Sequence, residues 1–135
     1  MSLPAGLPKP FFVDRSLGRI KVPRILRAAG LQLVTLAEHY GIPADEAVAD
    51  VDWLQLAGTN SWPVLVKDAA IITNVVERRA LEANQVQCFC LASQGLPAYR
   101  MAAWYLNSLE PMAIACQAPG PFIYRVGESG LIPTA

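Results

Sequence analysis

Two apolar runs in this sequence each lead to an aspartate: Phe11-Phe12-Val13 runs into Asp14, and Val64-Leu65-Val66 is followed by Lys67 and Asp68. Taken as short buried strands of an α/β sheet, both place a carboxylate just past a strand's carboxyl end, where such sheets bind ligands. Asp50 and Asp52 add two more acids at the start of an amphipathic segment, and Glu77 lies nine residues beyond Asp68. Converging carboxylates repel one another and shift their pKa values upward unless a cation stands among them. Oxygen ligands of this kind select Mg²⁺ or Mn²⁺ rather than zinc. A cation so held can activate water and stabilise a phosphate leaving group, the logic of metal-dependent nucleases. Each acid also has a plainer reading. Asp50 suits an N-cap, Asp52 the positive end of a helix dipole, Asp14 and Asp68 local caps, and Glu77 a solvated helix face.

Other chemistries find less support. The chain has no GxxxxGK[ST] or GxGxxG loop, and its single histidine, His39, has no Ser or Cys in a recognisable nucleophile context. Of the three cysteines, Cys88 and Cys90 sit at strand spacing and read as core thiols; with Cys116 and one histidine they make a poor zinc set. Trp53, Trp62 and Trp104 read as packing residues. The charge balance is 11 basic against 11 acidic residues, so a nucleic-acid partner needs a local basic patch. With 53% hydrophobic and 16% charged residues the chain is expected to fold, and its weakly charged surface favours self-association, a homodimer included. No apolar run reaches the length of a membrane span, and the first ten residues do not read as a secretion signal. A cytoplasmic location, with no membrane partner, is the expectation.

The elements that must position these acids follow from periodicity. Residues 1–10 read as an irregular lead-in, 11–126 as a single domain and 127–135 as a C-terminal tail. Strands are expected at 11–13, 31–35, 64–66, 86–91 and 122–126. Helices are expected at 22–29, 51–57 (capped by Asp50 and ended at Gly58), 72–84, and 97–109 with a second piece at 112–117. A short turn at 36–41 closes on Gly41. Strands alternating with helices predict a mostly parallel sheet covered on both faces. If the first and third strands are neighbours, Asp14 and Asp68 come together.

In this order and spacing, Phe11-Phe12-Val13-Asp14-Arg15-Ser16-Leu17-Gly18, Asp50-Val51-Asp52-Trp53-Leu54-Gln55-Leu56-Ala57-Gly58 and Val64-Leu65-Val66-Lys67-Asp68 resemble the PIN-like ribonucleases. Glu77-Arg78 and the stretch Gly120-Pro121-Phe122-Ile123-Tyr124-Arg125 extend the likeness, which is closest to the compact toxins of VapBC-type toxin–antitoxin pairs. The resemblance implies a three-layer α/β/α sandwich with an acidic pocket for Mg²⁺ or Mn²⁺. It implies RNA cleavage by metal-activated water, and a cognate antitoxin that blocks the site. Carried over by motif, Asp14, Asp52 and Asp68 are the catalytic acids, and Asp14, Asp68 and one or both of Asp50 and Asp52 are the metal-site acids. Relatives often carry Glu where Asp52 stands, and many place a further acid where Ala69, Ala70 and Ile71 follow Asp68 here. Arg15 and Lys67, with Arg19 and Arg78 on the rim, are the cations expected to meet RNA phosphates. The rival readings are an interaction domain without catalysis, and a receiver-like phosphotransfer domain. The second is disfavoured because Arg15 and Ser16, not a second acid, follow Asp14.

Overall fold

Short strands that are apolar at every position are buried on both faces, and here they stack side by side in one parallel sheet. The computed structural model describes residues 3–8 and 10–133; residues 1, 2 and 9 of the expected lead-in and 134–135 of the expected tail lie outside it. Strands β1 (Phe11–Val13), β2 (Leu33–Thr35), β3 (Val64–Val66), β4 (Gln87–Leu91), β5 (Phe122–Gly127) and β6 (Gly130–Pro133) form a sheet in the order β2-β1-β3-β4-β5-β6. All neighbours are parallel except β6, which returns antiparallel along β5. Phe12 pairs with Val64 and Val13 with Leu65, so β1 and β3 are neighbours as expected.

Alternation along the strands divides the core in two. Phe11, Val13, Leu33, Leu65, Phe89, Leu91 and Val126 face helices α1 (Lys21–Ala28), α6 (Ala98–Asn107) and α7 (Leu109–Ala115). Phe12, Val64, Val66, Cys88, Cys90 and Ile123 face α2 (Leu36–Tyr40), α3 (Asp50–Asn60), α4 (Ala70–Thr73) and α5 (Val75–Ala83). The result is a three-layer α/β/α sandwich. Cys88 and Cys90 are buried, unpaired core thiols. The Phe12 ring stacks on Trp53 at 5.7 Å and on Trp62 at 6.2 Å, and these contacts fix how α3 lies against β1.

Several boundaries differ from the sequence-based expectation. Ala49, not Asp50, is the N-cap of α3; Asp50 is already helical. That helix also runs through Gly58 to Asn60, where Ser61 turns left-handed (φ 56°). The long helix expected at 72–84 is two helices, because the Asn74 side chain accepts the Glu77 amide and starts α5 afresh. The break between α6 and α7 falls at Ser108, which leaves Pro111 in the first turn of α7, where its missing N–H costs nothing. Within the stretch read as a tail, residues 130–133 supply the sixth strand. No helix among the described residues is long and apolar enough to cross a membrane.

Candidate active site at the carboxyl edge of the sheet

Because β1 to β5 are parallel, their carboxyl ends share one edge, and Asp14 stands there directly after β1. It is two residues past Phe12 and so projects toward the α3 layer. Only 5% of Asp14 is exposed. Oδ2 accepts the Ser16 amide at 3.3 Å, while Oδ1 is buried and has no partner. Burial pushes this carboxyl above the usual carboxylate value. The Ser16 hydroxyl and amide pull it part of the way back, and the negative charge of Asp50 raises it again. A buried, half-satisfied carboxylate with a second one in electrostatic reach suits a cation.

Asp50 reaches this neighbourhood through α3. The Trp53 indole, held against Phe12, donates to Asp50 Oδ1 at 2.8 Å and so orients the carboxylate at the helix start. Asp52 is exposed and its charge is felt by Tyr40 on α2, not by Asp14. Asp68 is exposed beyond β3, where Oδ1 accepts the Ala70 amide at 2.9 Å and caps the start of α4. Glu77 lies in the first turn of α5. Among the described residues, no three His, Cys, Asp or Glu side chains stand close enough together to hold a metal ion. Asp14 and Asp50 are thus an electrostatic pair, and Asp68 would have to leave its cap to join them.

The cations divide sharply. Arg15 donates to the carbonyls of Asp45 and Glu46, each at 2.9 Å, and of Val48 at 3.1 Å. Arg19 makes a two-point contact with Asp45 at 2.8 and 2.9 Å and reaches Glu46 at 3.2 Å. Asp45 is 1% exposed, and its carboxyl is held below the usual range chiefly by the hydrogen bond from Arg19. Both arginines therefore fasten the loop that leads into α3. Arg78 donates to the Ile72 carbonyl at 3.1 Å and pairs with Glu82 at 3.5 Å, which ties α5 to α4. Only Lys67, of the four expected cations, has an ammonium with no hydrogen bond or ion pair among the described residues. Its backbone is fixed from both sides: its amide donates to Ser16 Oγ at 2.9 Å, and its carbonyl accepts Gln94 Nε2 at 2.7 Å.

Three residues at this edge escaped the sequence reading as contributors to the site. Ser16 links the end of β1 to the end of β3. Gln94 does the same for the β4–α6 loop. Arg125, paired in register with Cys90, closes the far side of the edge. Burial pushes the Cys90 thiol up to about 11, a rise that the Arg125 charge opposes and the Asp68 charge reinforces, so both flank this sulfur. The signal for Arg125 was a lone charge inside an otherwise apolar strand. A recess of about 200 Å³ lies at the opposite edge, lined by Gly58, Trp62, Asn84, Val86 and Gly120 among others, and carries no ionisable side chain.

A family model described as a PIN like domain matches residues 10–93, more than half of the chain. The chain belongs to the PIN-like domain family. It is 41% identical over 121 residues, 90% of this chain and 88% of the relative, to the protein named "Putative ribonuclease VapC45" of Mycobacterium tuberculosis (strain ATCC 25618 / H37Rv). No solved structure matches the chain.

Proposed function

We propose that the chain is a divalent-metal-dependent endoribonuclease and the toxin half of a toxin–antitoxin pair. The observation that carries this reading is the buried Asp14 carboxylate with an unpartnered oxygen and Asp50 in electrostatic reach. The relative named as a ribonuclease, similar over nine-tenths of the chain, supports RNA as substrate. Asp14 and Asp50 would hold the cation, with Asp68 completing the set when its side chain turns from the Ala70 amide; Asp52 stands aside. When bound, Mg²⁺ or Mn²⁺ supplies an activated water and offsets the charge that develops on the phosphodiester. Asp14 stays in place through Ser16, so the carboxylate needs no reorganisation to act. Lys67, anchored through its backbone with a free ammonium, meets a phosphate of the strand. Ile20, 61% exposed on an open groove with Leu17, Lys21 and Ala98, gives an antitoxin an apolar foothold.

The test is cleavage of a structured RNA pool with Mn²⁺, comparing wild type with Asp14→Asn and Asp68→Asn, each checked for folding by thermal melts. Cleavage by wild type that EDTA abolishes, with a loss of at least about 100-fold in Asp14→Asn, is the expected outcome. A second reading draws on specific contacts: Asp68 caps α4 and Asp50 receives the Trp53 indole, so the acids also serve the fold. In that reading the protein is an interaction domain, and wild type binds no Mn²⁺ and cuts nothing.

A further inference from the structure

Arg125 is a cation inside a strand whose neighbours are apolar. Tyr124 stacks with Phe89 at 6.3 Å on one face of the sheet. Arg125 therefore projects to the other face, beside Cys90, one residue short of the last parallel pair, Leu91 with Val126. Its Nη2 donates to the Ala92 carbonyl at 3.1 Å, so the guanidinium is pinned where β4 leaves the sheet. Its Nε is enclosed and has no partner. No carboxylate among the described residues lies within ion-pair distance, and Nη1 makes no hydrogen bond.

A partly desolvated guanidinium without a counter-charge is costly, and a Leu or Met would pack against Cys90 and Ile123 at less cost. Arg15, Arg19, Arg27 and Arg78 all satisfy themselves on protein carbonyls or carboxylates. Arg125 keeps one end of its fork open at the carboxyl edge, and it lies beyond the residues that the family model matches. A small free anion gains little there, because Asp68 stands on the other side of Cys90 and repels it. A polyanion is different. Its repeating phosphates let one sit at the acids with their cation while another farther along the strand reaches a fixed guanidinium, the group best suited to grip phosphate end-on.

We propose that Arg125 binds an RNA backbone phosphate farther along the strand from the one that is cut, and so sets the register of the strand across the acidic edge. This rests on the nuclease reading above. The guanidinium is a positioning group: it touches the strand, while the reacting phosphate belongs to the acids.

The test is fluorescence anisotropy of a short labelled mixed-sequence single-stranded RNA, with Ca²⁺ in place of Mn²⁺, over a range of salt concentrations. Arg125→Gln keeps a donor for the Ala92 carbonyl and removes the charge. It is expected to weaken binding roughly tenfold and to lower the slope of log affinity against log salt by about 0.7, the loss of one phosphate contact. Arg125→Lys keeps the charge without the planar fork, so it retains the wild-type slope and loses roughly threefold in affinity. Arg24→Met, on the helix layer of the other face, keeps both. Mn²⁺ affinity by calorimetry is unchanged in all three. Wild-type affinity and slope in Arg125→Gln would overturn the contact, and continued Mn²⁺-dependent cleavage by wild type would leave the nuclease reading intact. An Arg125-dependent slope in a protein that neither binds Mn²⁺ nor cuts RNA would do the reverse.

Discussion

Asp14 holds its charge under protest. With Oδ1 buried and unpartnered and Asp50 nearby, ionising it costs the folded protein free energy. Its folded pKa is raised, so the stability it contributes is present below the unfolded carboxylate value and is lost as pH rises through the folded one. Asp14→Asn should therefore melt a few degrees above wild type at pH 7 in EDTA, the shift that about 1 kcal/mol produces in a domain of this size. The gain should vanish below about pH 4. Mn²⁺ should raise the melting temperature of wild type alone, reversing the order. The positions of Asp14 and Asp68 were legible because each follows an apolar run. The choice between Asp50 and Asp52 was not, because it depends on the rotation of α3 about its axis, which the stacking of Trp53 on Phe12 sets. Asp50→Asn is expected to weaken Mn²⁺ binding about tenfold and Asp52→Asn less than about twofold, read by calorimetry. The intramolecular partners of Arg15 and Arg19 were illegible for a related reason. Adjacency to Asp14 suggested the site, but their partners lie some thirty residues away in the chain.

At the scale of elements, strand positions were the most legible, since a run such as Val64-Leu65-Val66 between turn signals leaves little choice. Helix ends were less so. Gly58-Thr59-Asn60 looks like a stop, yet α3 passes through it, because a residue without a side chain is required where α3 meets the Asn84 backbone. A methyl at Gly58 would overlap the Asn84 carbonyl and come within 2.8 Å of Asn84 Cβ. Gly58→Ala is thus expected to cost about 1–3 kcal/mol in denaturant unfolding, the opposite sign from the usual gain of Gly→Ala in a helix. Residues 130–133 were illegible as a strand, since four residues that open on the last glycine of a Gly-Glu-Ser-Gly turn carry no period of their own. Only β5, already in place, gives them a partner. Tyr105, fully buried, shares its hydroxyl between the carbonyls of Val66 and Phe89 at 3.0 Å each, tying α6 to the two strands beneath Asp68. Loss of that hydroxyl in Tyr105→Phe should cost about 1 kcal/mol and leave Mn²⁺ affinity unchanged.

Over the whole molecule, a net charge of zero hides an uneven layout. Four of the eight arginines, Arg15, Arg19, Arg27 and Arg78, tie loops and helices together, while Lys67 and Arg125 stand without an ion pair among the described residues at the carboxyl edge beside the acids. Two of the stitches make the fold acid-sensitive. Hydrogen bonds from Arg19 and Arg27 hold the Asp45 and Glu38 carboxyls below their usual values. Their stabilisation is present above the unfolded values, about 3.9 and 4.3, and is lost as pH falls through the lower folded ones. Melts taken from pH 5 downward should fall less steeply in Arg19→Met than in wild type, and equal slopes would show that the pair contributes nothing. The sandwich itself was legible from alternating strands and helices; the loop stitches were not, because their partners meet only after folding.

The most direct measurement is calorimetric titration of Mn²⁺ into metal-free wild type and Asp14→Asn at pH 7. Saturable binding by wild type that weakens at least about tenfold in the variant is the expected result, and would establish Asp14 as the seat of a cation site. Equal binding by the two proteins, or none by wild type, would contradict the account and leave the acids as parts of the fold.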